Sequence, residues 1–234
     1  MSNNDNYSND SGVDSADGGT GSGSTPNSGS AAGTGLTIRL AELKDAQAIL
    51  DIYAPYVLNT TLTFESVVPT LSEFETKMMQ VQARYPWLVC SSEDTVVGFA
   101  YANEVRSRDA YRWNVELSIY LDENYHRRGI ATALYTALFQ ILKMQGFVNL
   151  YAVITVPNEP SIALHRHFGF TEIGVHPKTG YKFGQWRDVV WMHLRIDGAA
   201  DPAEHGAPTP IDQVNRNDME TALNLATAFI KGVG

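Results

Sequence analysis

The strongest constraint on the fold is a strand, a basic turn and a long helix that follow one another between residues 115 and 147. VELSIYL alternates apolar and polar residues, which predicts a strand at 115–121. GIATALYTALFQILKMQGF repeats apolar residues at the helical period and predicts an amphipathic helix that Gly146 ends. Its apolar stripe consists of Ile130, Leu134, Leu138, Ile141 and Leu142. A strand is therefore expected to lead through a short turn into a helix.

The turn itself, HRRG at 126–129, brings two arginines and a glycine to the start of that helix. A helix N-terminus exposes free N–H groups and the positive end of the helix dipole. Gly129 permits close approach of the backbone, and Arg127 and Arg128 add positive charge. These features suit a phosphate group. An ordinary helix start with two solvated arginines is the alternative, and the six letters HRRGIA alone leave both open.

The remaining patterns predict a mixed α/β domain without internal repeats. A strand is predicted at 36–41, helices at 43–58 and 70–85, strands at 87–91 and 95–102, and, after the helix described above, a strand at 148–156, a helix from 159 that stops before Gly169, and strands at 171–177 and 187–196. Pro55 marks a kink or an early end of the first helix. Thr70 or Ser72 is expected to cap the second helix, with Glu73 or Glu75 soon after.

The two ends of the chain differ from the middle. Residues 1–35 are mostly Ser, Gly, Asn and Asp, too polar to offset the entropy of ordering, so they are expected to be disordered. Residues 36–196 form the domain. Residues 197–234 are predicted to be a linker and a short amphipathic helix. Leu223, Ala226, Phe229 and Ile230 are expected along one side of this helix. Packing on the domain is favoured over a role in binding a partner.

Charge and composition exclude several classes of function. The formal net charge is −9, but residues 36–196 hold 16 acidic and 15 basic residues, so the acidity belongs to the ends. A domain so close to neutral gives no basic surface for nucleic acid. Its histidines, carboxylates and single cysteine show no metal-ligand spacing, so no metal is expected.

The compartment is inferred from what the sequence lacks. Cys90 is the only cysteine, so no intrachain disulfide is possible, which fits a reducing compartment. No apolar run is long enough to cross a membrane. The N-terminal residues resemble neither a signal peptide nor a transit peptide. A cytoplasmic location without membrane contact is therefore expected.

The strand, turn and helix resemble the acetyl-CoA-binding motif of the GNAT acetyltransferase superfamily, (Gln or Arg)-x-x-Gly-x-(Gly or Ala). His126 stands in its first position. The strings RYPWLV, GFAYA, RDAYRWNVELSIYL, HRRGIATALYTAL, PNEPSIALHRHFGF and GYKFGQWRDVVWM extend the resemblance, in order and spacing, to phosphinothricin N-acetyltransferases and related amino-acid acetyltransferases. The likeness covers residues 36–196 and implies the GNAT fold.

The resemblance implies an acetyl-CoA site on the strand and turn. The cofactor's pantetheine arm would pair with backbone groups of Ile119, Tyr120 and Leu121. Its pyrophosphate would lie against the backbone of Arg127, Arg128, Gly129, Ile130, Ala131 and Thr132. Asn158 matches a cofactor-contacting residue of the family, although a turn or helix cap explains it equally well.

Two residues are implied to carry the chemistry. Glu116 aligns with the family's proposed base for the amine; the alternative is a strand-edge glutamate in a salt bridge. A free carboxylate has a pKa of about 4.3 and an alkyl amine about 10.4, so burial or a water relay must narrow that gap. His165 stands where many relatives have an acid that protonates the leaving thiolate; a structural histidine is the alternative.

The resemblance also implies the substrate and the assembly. Arg108 and Tyr111 match the family's substrate-facing loop, Arg106 stands where the family often has Lys, and Phe64 would form a pocket wall. Such donors suit the carboxylate and the phosphinyl or sulfonyl oxygens of a small amino-acid analogue. Loop packing or a solvated charge is the alternative for each of these residues. The expected protein is a homodimeric N-acetyltransferase acting on a small-molecule amine. The alternatives are an enzyme acting on protein or peptide amines and a non-catalytic acyl-CoA-binding regulator.

Overall fold

The computed structural model describes residues 35–196 and 206–231. Within these residues the structure contains seven strands and five α-helices. The strands are β1 Leu36–Leu40, β2 Trp87–Ser92, β3 Thr95–Glu104, β4 Asn114–Leu121, β5 Asn149–Val156, β6 Thr171–Lys182 and β7 Gln185–Arg195. The helices are α1 Ala46–Asn59, α2 Leu71–Gln82, α3 Ile130–Gln145, α4 Glu159–His167 and α5 Arg216–Lys231. The expected mixed α/β architecture is confirmed.

All strands join one sheet, in the order β1-β2-β3-β4-β5-β7-β6. Neighbours are antiparallel except β4 and β5, which run parallel. This parallel pairing begins with Asn114 opposite Asn149 and ends with Glu116 opposite Tyr151. Because β4 continues to Leu121, the two strands separate over the second half of β4.

Helices cover both faces of the sheet. On one face, Tyr53 and Tyr56 of α1 pack edge-on against Tyr120 of β4, and Phe74 of α2 packs against Trp87 of β2. On the other face lies α3, whose predicted stripe of Ile130, Leu134, Leu138, Ile141 and Leu142 is completely buried. Burying one large apolar side chain stabilises a fold by about 1.5–3 kcal/mol. The buried stripe therefore makes α3 the main support of the sheet's centre.

Local signals in the sequence correctly mark several helix ends. Thr70 caps α2 through a capping box in which its hydroxyl accepts from the Glu73 N–H and the Glu73 carboxylate accepts from the Thr70 N–H. Gly146 ends α3 with φ +87°. Pro55 does not end α1, which continues to Asn59, because Pro55 lies on a helix that the core holds along its whole length.

The C-terminal helix α5 packs on the domain. Its buried side chains are Met219, Ala222, Leu223, Ala226 and Ile230. They lie against α3 and β1, and the Ile38 N–H of β1 donates to the Thr227 hydroxyl over 2.9 Å. The predicted stripe was wrong at one position: Phe229 is 48% exposed. The helix turns Phe229 outward because the contact with α3 and β1 runs through Met219 and Ala222 instead.

The N-terminal end and the absence of a membrane span are the next two expectations. The expected disorder of residues 1–35 concerns residues that, apart from Gly35, lie outside the described part. Within residues 35–196 and 206–231, no helix is both long enough and apolar enough to cross a bilayer.

The capping box of α2 gives a direct test of the fold. Replacing Thr70 by Ala removes the cap of the Glu73 N–H and is expected to lower the free energy of unfolding by about 1 kcal/mol. Thr76→Ala is the matched control, because the Thr76 hydroxyl only bonds the Ser72 carbonyl within the helix. Urea unfolding followed by circular dichroism measures both variants. Equal stability of the two would contradict a stabilising cap.

Candidate active site

The separation of β4 from β5 leaves backbone groups of β4 facing a gap. The Asp122 N–H donates to the Val97 carbonyl over 2.9 Å, so the even-numbered residues of β4 direct their backbone groups to β3. The N–H and C=O of Ile119 therefore point into the gap, where no strand among the described residues pairs with them. A ligand with amide groups of its own would satisfy them as a strand does.

The other two residues predicted to bind the cofactor through their backbone differ from Ile119. The backbone of Tyr120 is directed to Phe99 of β3. The Leu121 carbonyl accepts a hydrogen bond of 2.6 Å from the Tyr56 hydroxyl, which also lies 3.3 Å from His126 Nε2. Ile119 is thus the residue of the three whose N–H and C=O both remain for a ligand.

The basic turn forms a concave backbone at the start of α3. Arg127 has φ +62° and Gly129 has φ +75°, a conformation that turns successive N–H groups toward one side. The first donation within the helix is from Ala133 N–H to the Gly129 carbonyl. The preceding N–H groups, of Ile130, Ala131 and Thr132, therefore lack carbonyl partners within the helix. This geometry suits an anion.

The two arginines of the turn are exposed beside this backbone. The Arg128 guanidinium lies over the Tyr125 ring, 4.8 Å from its centroid. This contact restrains Arg128 near the helix N-terminus. Along the chain, the gap at Ile119 is thus followed by the two arginines of the turn and then by the free N–H groups at the start of α3.

Glu116 is the last residue of β4 that is paired with β5. It lies opposite Asn103 of β3 and Tyr151 of β5, on the same face of β4 as Tyr120. Burial raises the pKa of the Glu116 carboxyl above its usual value. Among the described residues, no Lys, Arg or His lies within 4.0 Å of its carboxylate. The alternative role in a salt bridge is therefore not found here.

His165 is enclosed between α4 and α3. It is 2% exposed. Its Nδ1 lies 2.7 Å from the Ser161 carbonyl, so Nδ1 carries the proton and donates. Its Nε2 lies 3.1 Å from the Tyr135 hydroxyl and accepts from it. Burial lowers the pKa of His165, so the ring is neutral at pH 7 with both nitrogens engaged.

Asn158 serves as the N-cap of α4. Its side-chain oxygen accepts a 3.3 Å hydrogen bond from the Ser161 N–H. The capping alternative is therefore realised, while its amide nitrogen is not needed for that bond. Asn158 follows the end of β5, so it lies at the same edge of the sheet as the end of β4.

Phe64 contributes to a wall between the α1–α2 connection and β6. Its ring lies so close to Gly180 that a Cβ at that position would clash with the ring carbons. The neighbouring Thr63 carbonyl accepts a 2.8 Å hydrogen bond from the buried Lys182 ammonium. Sequence reasoning overlooked Lys182; its only signal was a lysine between aromatic residues in GYKFG.

Arg106, Arg108 and Tyr111 line one pocket of about 240 Å³ at the end of β3. The structure brings these three predicted residues together. Phe64 does not line that pocket, so it stands apart from the other three predicted substrate residues. The predicted base, Glu116, does not line it either. Arg84 and Arg112 also line it, but no motif marked them because they come from separate segments.

Metal ligands are not gathered anywhere in the described part of the chain. Within residues 35–196 and 206–231, no three His, Cys, Asp or Glu side chains lie close enough to hold a metal ion. Cys90 is buried and unpaired, and burial raises the pKa of its thiol to about 12. The thiol is therefore protonated and packed in the core.

Comparison with known proteins gives the same family for sequence and structure. The family described as Acetyltransferase (GNAT) domain matches residues 38–191. The phosphinothricin N-acetyltransferase of Streptomyces viridochromogenes is 40% identical over 167 residues, which cover 71% of this chain and 91% of the relative. The L-methionine sulfoximine/L-methionine sulfone acetyltransferase of Salmonella typhimurium is 33% identical, covering 74% and 98% respectively.

Solved structures agree with these relatives. The crystal structure of a GNAT superfamily phosphinothricin acetyltransferase from Sinorhizobium meliloti in complex with AcCoA has a TM-score of 0.68 and 34% identity, covering 78% of this chain and 97% of the other. A ribosomal-protein-alanine N-acetyltransferase from Brucella melitensis has a TM-score of 0.65 and 33% identity, covering 68% and 99%. With its separating central strands and the matched family sequence, the chain belongs to the GNAT family of acetyltransferases.

Proposed function

We propose that the protein transfers the acetyl group of acetyl-CoA to the α-amine of a small amino acid or amino-acid analogue. The observation that carries the proposal is the position of Glu116. This unpaired, partly buried carboxylate lies where β4 leaves β5, three residues before the free backbone groups of Ile119. A proton acceptor and a place for an extended thioester thus share one strand.

Residues of the gap and the turn fit acetyl-CoA. Acetyl-CoA supplies the acetyl group in activated form, as a thioester. Ile119 offers one N–H and one C=O to an amide-bearing arm, and Leu121 offers its N–H on the same side of β4. The N–H groups at the start of α3, with Arg127 and Arg128, offer charge and donors to a pyrophosphate. Asn158 lies across the gap at the end of β5.

Glu116 has the properties required of the base. The amine nitrogen must lose a proton as its bond to the acetyl carbon forms and the carbon–sulfur bond breaks. The carboxylate of Glu116 accepts that proton, directly or through one water, and the departing thiolate takes up a proton from solvent. Because burial raises the pKa of Glu116, the gap to the pKa of the amine is smaller than for an exposed glutamate.

For His165 we propose a positioning role. Both of its nitrogens are engaged, and the ring is neutral and enclosed. It joins α4 to Tyr135 of α3 and so holds the two helices that flank the gap. An acid for the thiolate would need a proton to give, and here the Nδ1 proton is donated to the Ser161 carbonyl.

The substrate class is inferred from the arginine pocket and from relatives. Arg106, Arg108 and Tyr111 present two guanidinium groups and one hydroxyl, which suit a free carboxylate and a second acidic or sulfonyl group. Relatives named for phosphinothricin and for methionine sulfoximine and sulfone act on such compounds. Detoxification of such analogues in the cytoplasm is the biological role that we propose.

Two other functions remain as outcomes of the test. The similarity to a ribosomal-protein-alanine N-acetyltransferase favours a peptide amine as the second candidate. A regulator that binds acetyl-CoA without turnover is the third candidate. Glu116, which lies at the gap without a basic partner, weighs against that candidate.

Acetyl-CoA consumption across a panel of amines tests the function. Thiol release is measured with phosphinothricin, methionine sulfoximine, methionine sulfone, ordinary amino acids and short peptides. Turnover is expected with the tetrahedral analogues, because they offer a carboxylate together with a phosphinyl or sulfonyl group to the arginine pocket. Turnover of peptides alone would replace the proposal by the second candidate, and acetyl-CoA binding without any turnover by the third.

Glu116→Gln separates the roles of this residue in activity and stability. Loss of the base is expected to lower kcat about 10²- to 10⁴-fold. The folded-state pKa of Glu116 is raised, so its ionisation destabilises the fold as pH rises through that pKa. The variant is therefore expected to have a higher Tm than the wild type at pH 8, and a smaller difference at pH 4. Glu65→Gln serves as the control, because it makes the same chemical change at a glutamate whose carboxylate lies 3.6 Å from the Lys77 ammonium and is 41% exposed.

We also propose a homodimer, formed through the outer edge of the sheet. There β6 is an edge strand with exposed Ile173 and Val175. An exposed apolar edge is an unfavourable surface for a lone chain. Light scattering after size exclusion is expected to give twice the mass of the chain.

Val175→Lys is expected to shift that mass toward the monomer by placing a charge on the edge. Leu225→Lys is the matched control, because Leu225 is also an exposed apolar residue but lies on α5. A monomer in the wild type, or an equal effect of both variants, would refute the edge-to-edge dimer.

A further inference from the structure

One residue of the arginine pocket lies outside the family match. The pocket itself is lined by four arginines: Arg84, Arg106, Arg108 and Arg112. Its acidic lining is limited to Glu104 and Asp109, so positive charge exceeds negative charge. Ala207 completes the lining. Since the family match ends at residue 191, Ala207 belongs to the C-terminal segment beyond it.

One buried side-chain nitrogen in the pocket lining has no hydrogen-bond partner among the described residues. Nε of Arg112 is buried and makes no hydrogen bond within the described part of the chain. The same guanidinium pairs with Asp109 at 2.9 Å through its NH2 group and lies over the Trp113 ring, 4.5 Å from the centroid. A buried N–H without an acceptor is costly, and an anionic ligand would supply one.

The C-terminal segment also holds the loop that bears the predicted substrate residues. The Trp113 indole N–H donates to the Gly206 carbonyl over 3.0 Å. Trp113 ends the loop that follows β3 and directly precedes β4. The position of this loop therefore depends on a backbone group of the C-terminal segment.

A second connection fixes the segment itself. The buried Gln145 side-chain amide donates to the Thr209 carbonyl and to the Arg84 carbonyl, each over 2.8 Å. The Thr209 N–H donates back to the Gln145 carbonyl over 2.8 Å. Gln145 thus joins the pocket residue Arg84 to the C-terminal segment at the end of α3. Beyond Thr209, α5 anchors the segment by burying its apolar side on α3 and β1.

We infer that the C-terminal segment 206–231 is part of the substrate site: Gly206 and Ala207 close the arginine pocket and hold its loop, so that the pocket binds the anionic end of the amino-acid substrate. This inference rests on the proposed function and deepens it. It assigns Arg84, Arg112, Trp113 and Ala207 to substrate recognition. Trp113 acts through the loop and is a positioning residue.

Ala207 permits a charge-specific test because it is exposed at the edge of the pocket. Ala207→Glu places a carboxylate among the arginines, and Ala207→Gln adds the same volume without charge. The Glu variant is expected to raise KM for methionine sulfone about tenfold, as a unit charge a few ångströms from the guanidinium groups implies. The Gln variant is expected to raise KM less than the Glu variant, so that the difference between the two variants isolates the effect of charge. In both variants KM for acetyl-CoA is expected to change less than KM for the amino acid.

Trp113→Phe tests the connection to Gly206. It keeps a ring under Arg112 but removes the indole N–H. KM for the amino acid is expected to rise severalfold, with kcat and KM for acetyl-CoA unchanged. A merely structural contribution would instead lower Tm and leave KM unaltered.

A binding measurement keeps the inference testable if the amine proposal fails. Tm is followed against sodium phosphate and, separately, methionine sulfone, at constant ionic strength. Phosphate is expected to stabilise the wild type and the Gln variant more than the Glu variant, even when no amine is turned over. Identical behaviour of the Glu and Gln variants in both KM and phosphate titration would overturn the inference. Absence of turnover with an intact phosphate difference would refute only the proposed substrate.

Discussion

The structure depends on the point at which two parallel strands stop pairing. β4 and β5 pair only as far as Glu116 and Tyr151. A sheet that closed this gap would satisfy every backbone group and leave no place for an extended thioester. The gap persists because β3 pairs with β4 from Val115 to Leu121 and β7 pairs with β5 along its full length. The free N–H and C=O of Ile119 are thus maintained by hydrogen bonds made elsewhere in the sheet.

Around this gap, the elements divide the work of the proposed reaction. The N-terminus of α3 and its arginines present an anion site at one end of the gap, and Glu116 lies at the other. The faces differ in chemistry: α3 and α4 bring apolar packing and the enclosed His165, whereas α1 brings the rings of Tyr53 and Tyr56 against Tyr120. Burial without a basic partner raises the pKa of Glu116. Burial lowers the pKa of His165, whose ring nitrogens bond the Tyr135 hydroxyl and the Ser161 carbonyl. The same physical effect therefore suits one residue to proton transfer and the other to support.

Features encoded by neighbouring residues could be predicted from the sequence. The stripe of α3, the cap at Thr70 and the end at Gly146 depend on residues a few positions apart, and all three were correct. Contacts between distant segments could not be predicted in this way. Phe229 was assigned to the buried side because periodicity leaves open which neighbouring stripe meets the domain. The pocket that joins Arg84 to Ala207 spans more than a hundred positions, and no local pattern encodes it. Resemblance supplied Glu116 and Ile119, whose chemistry composition alone would not reveal.

The hydrogen bond from the Ile38 N–H to the Thr227 hydroxyl has a consequence for assembly. β1 and β6 are the two outer strands of the sheet, and a chain that added strands at both would grow into an open filament. Thr227 occupies a donor of β1 that a third chain would need, and α5 lies over that side. Of the two outer strands of the described sheet, β6 is then the one left open to another copy. In the homodimer that we propose, association through this one edge would end at two chains, and the C-terminal helix would keep the assembly from growing at β1.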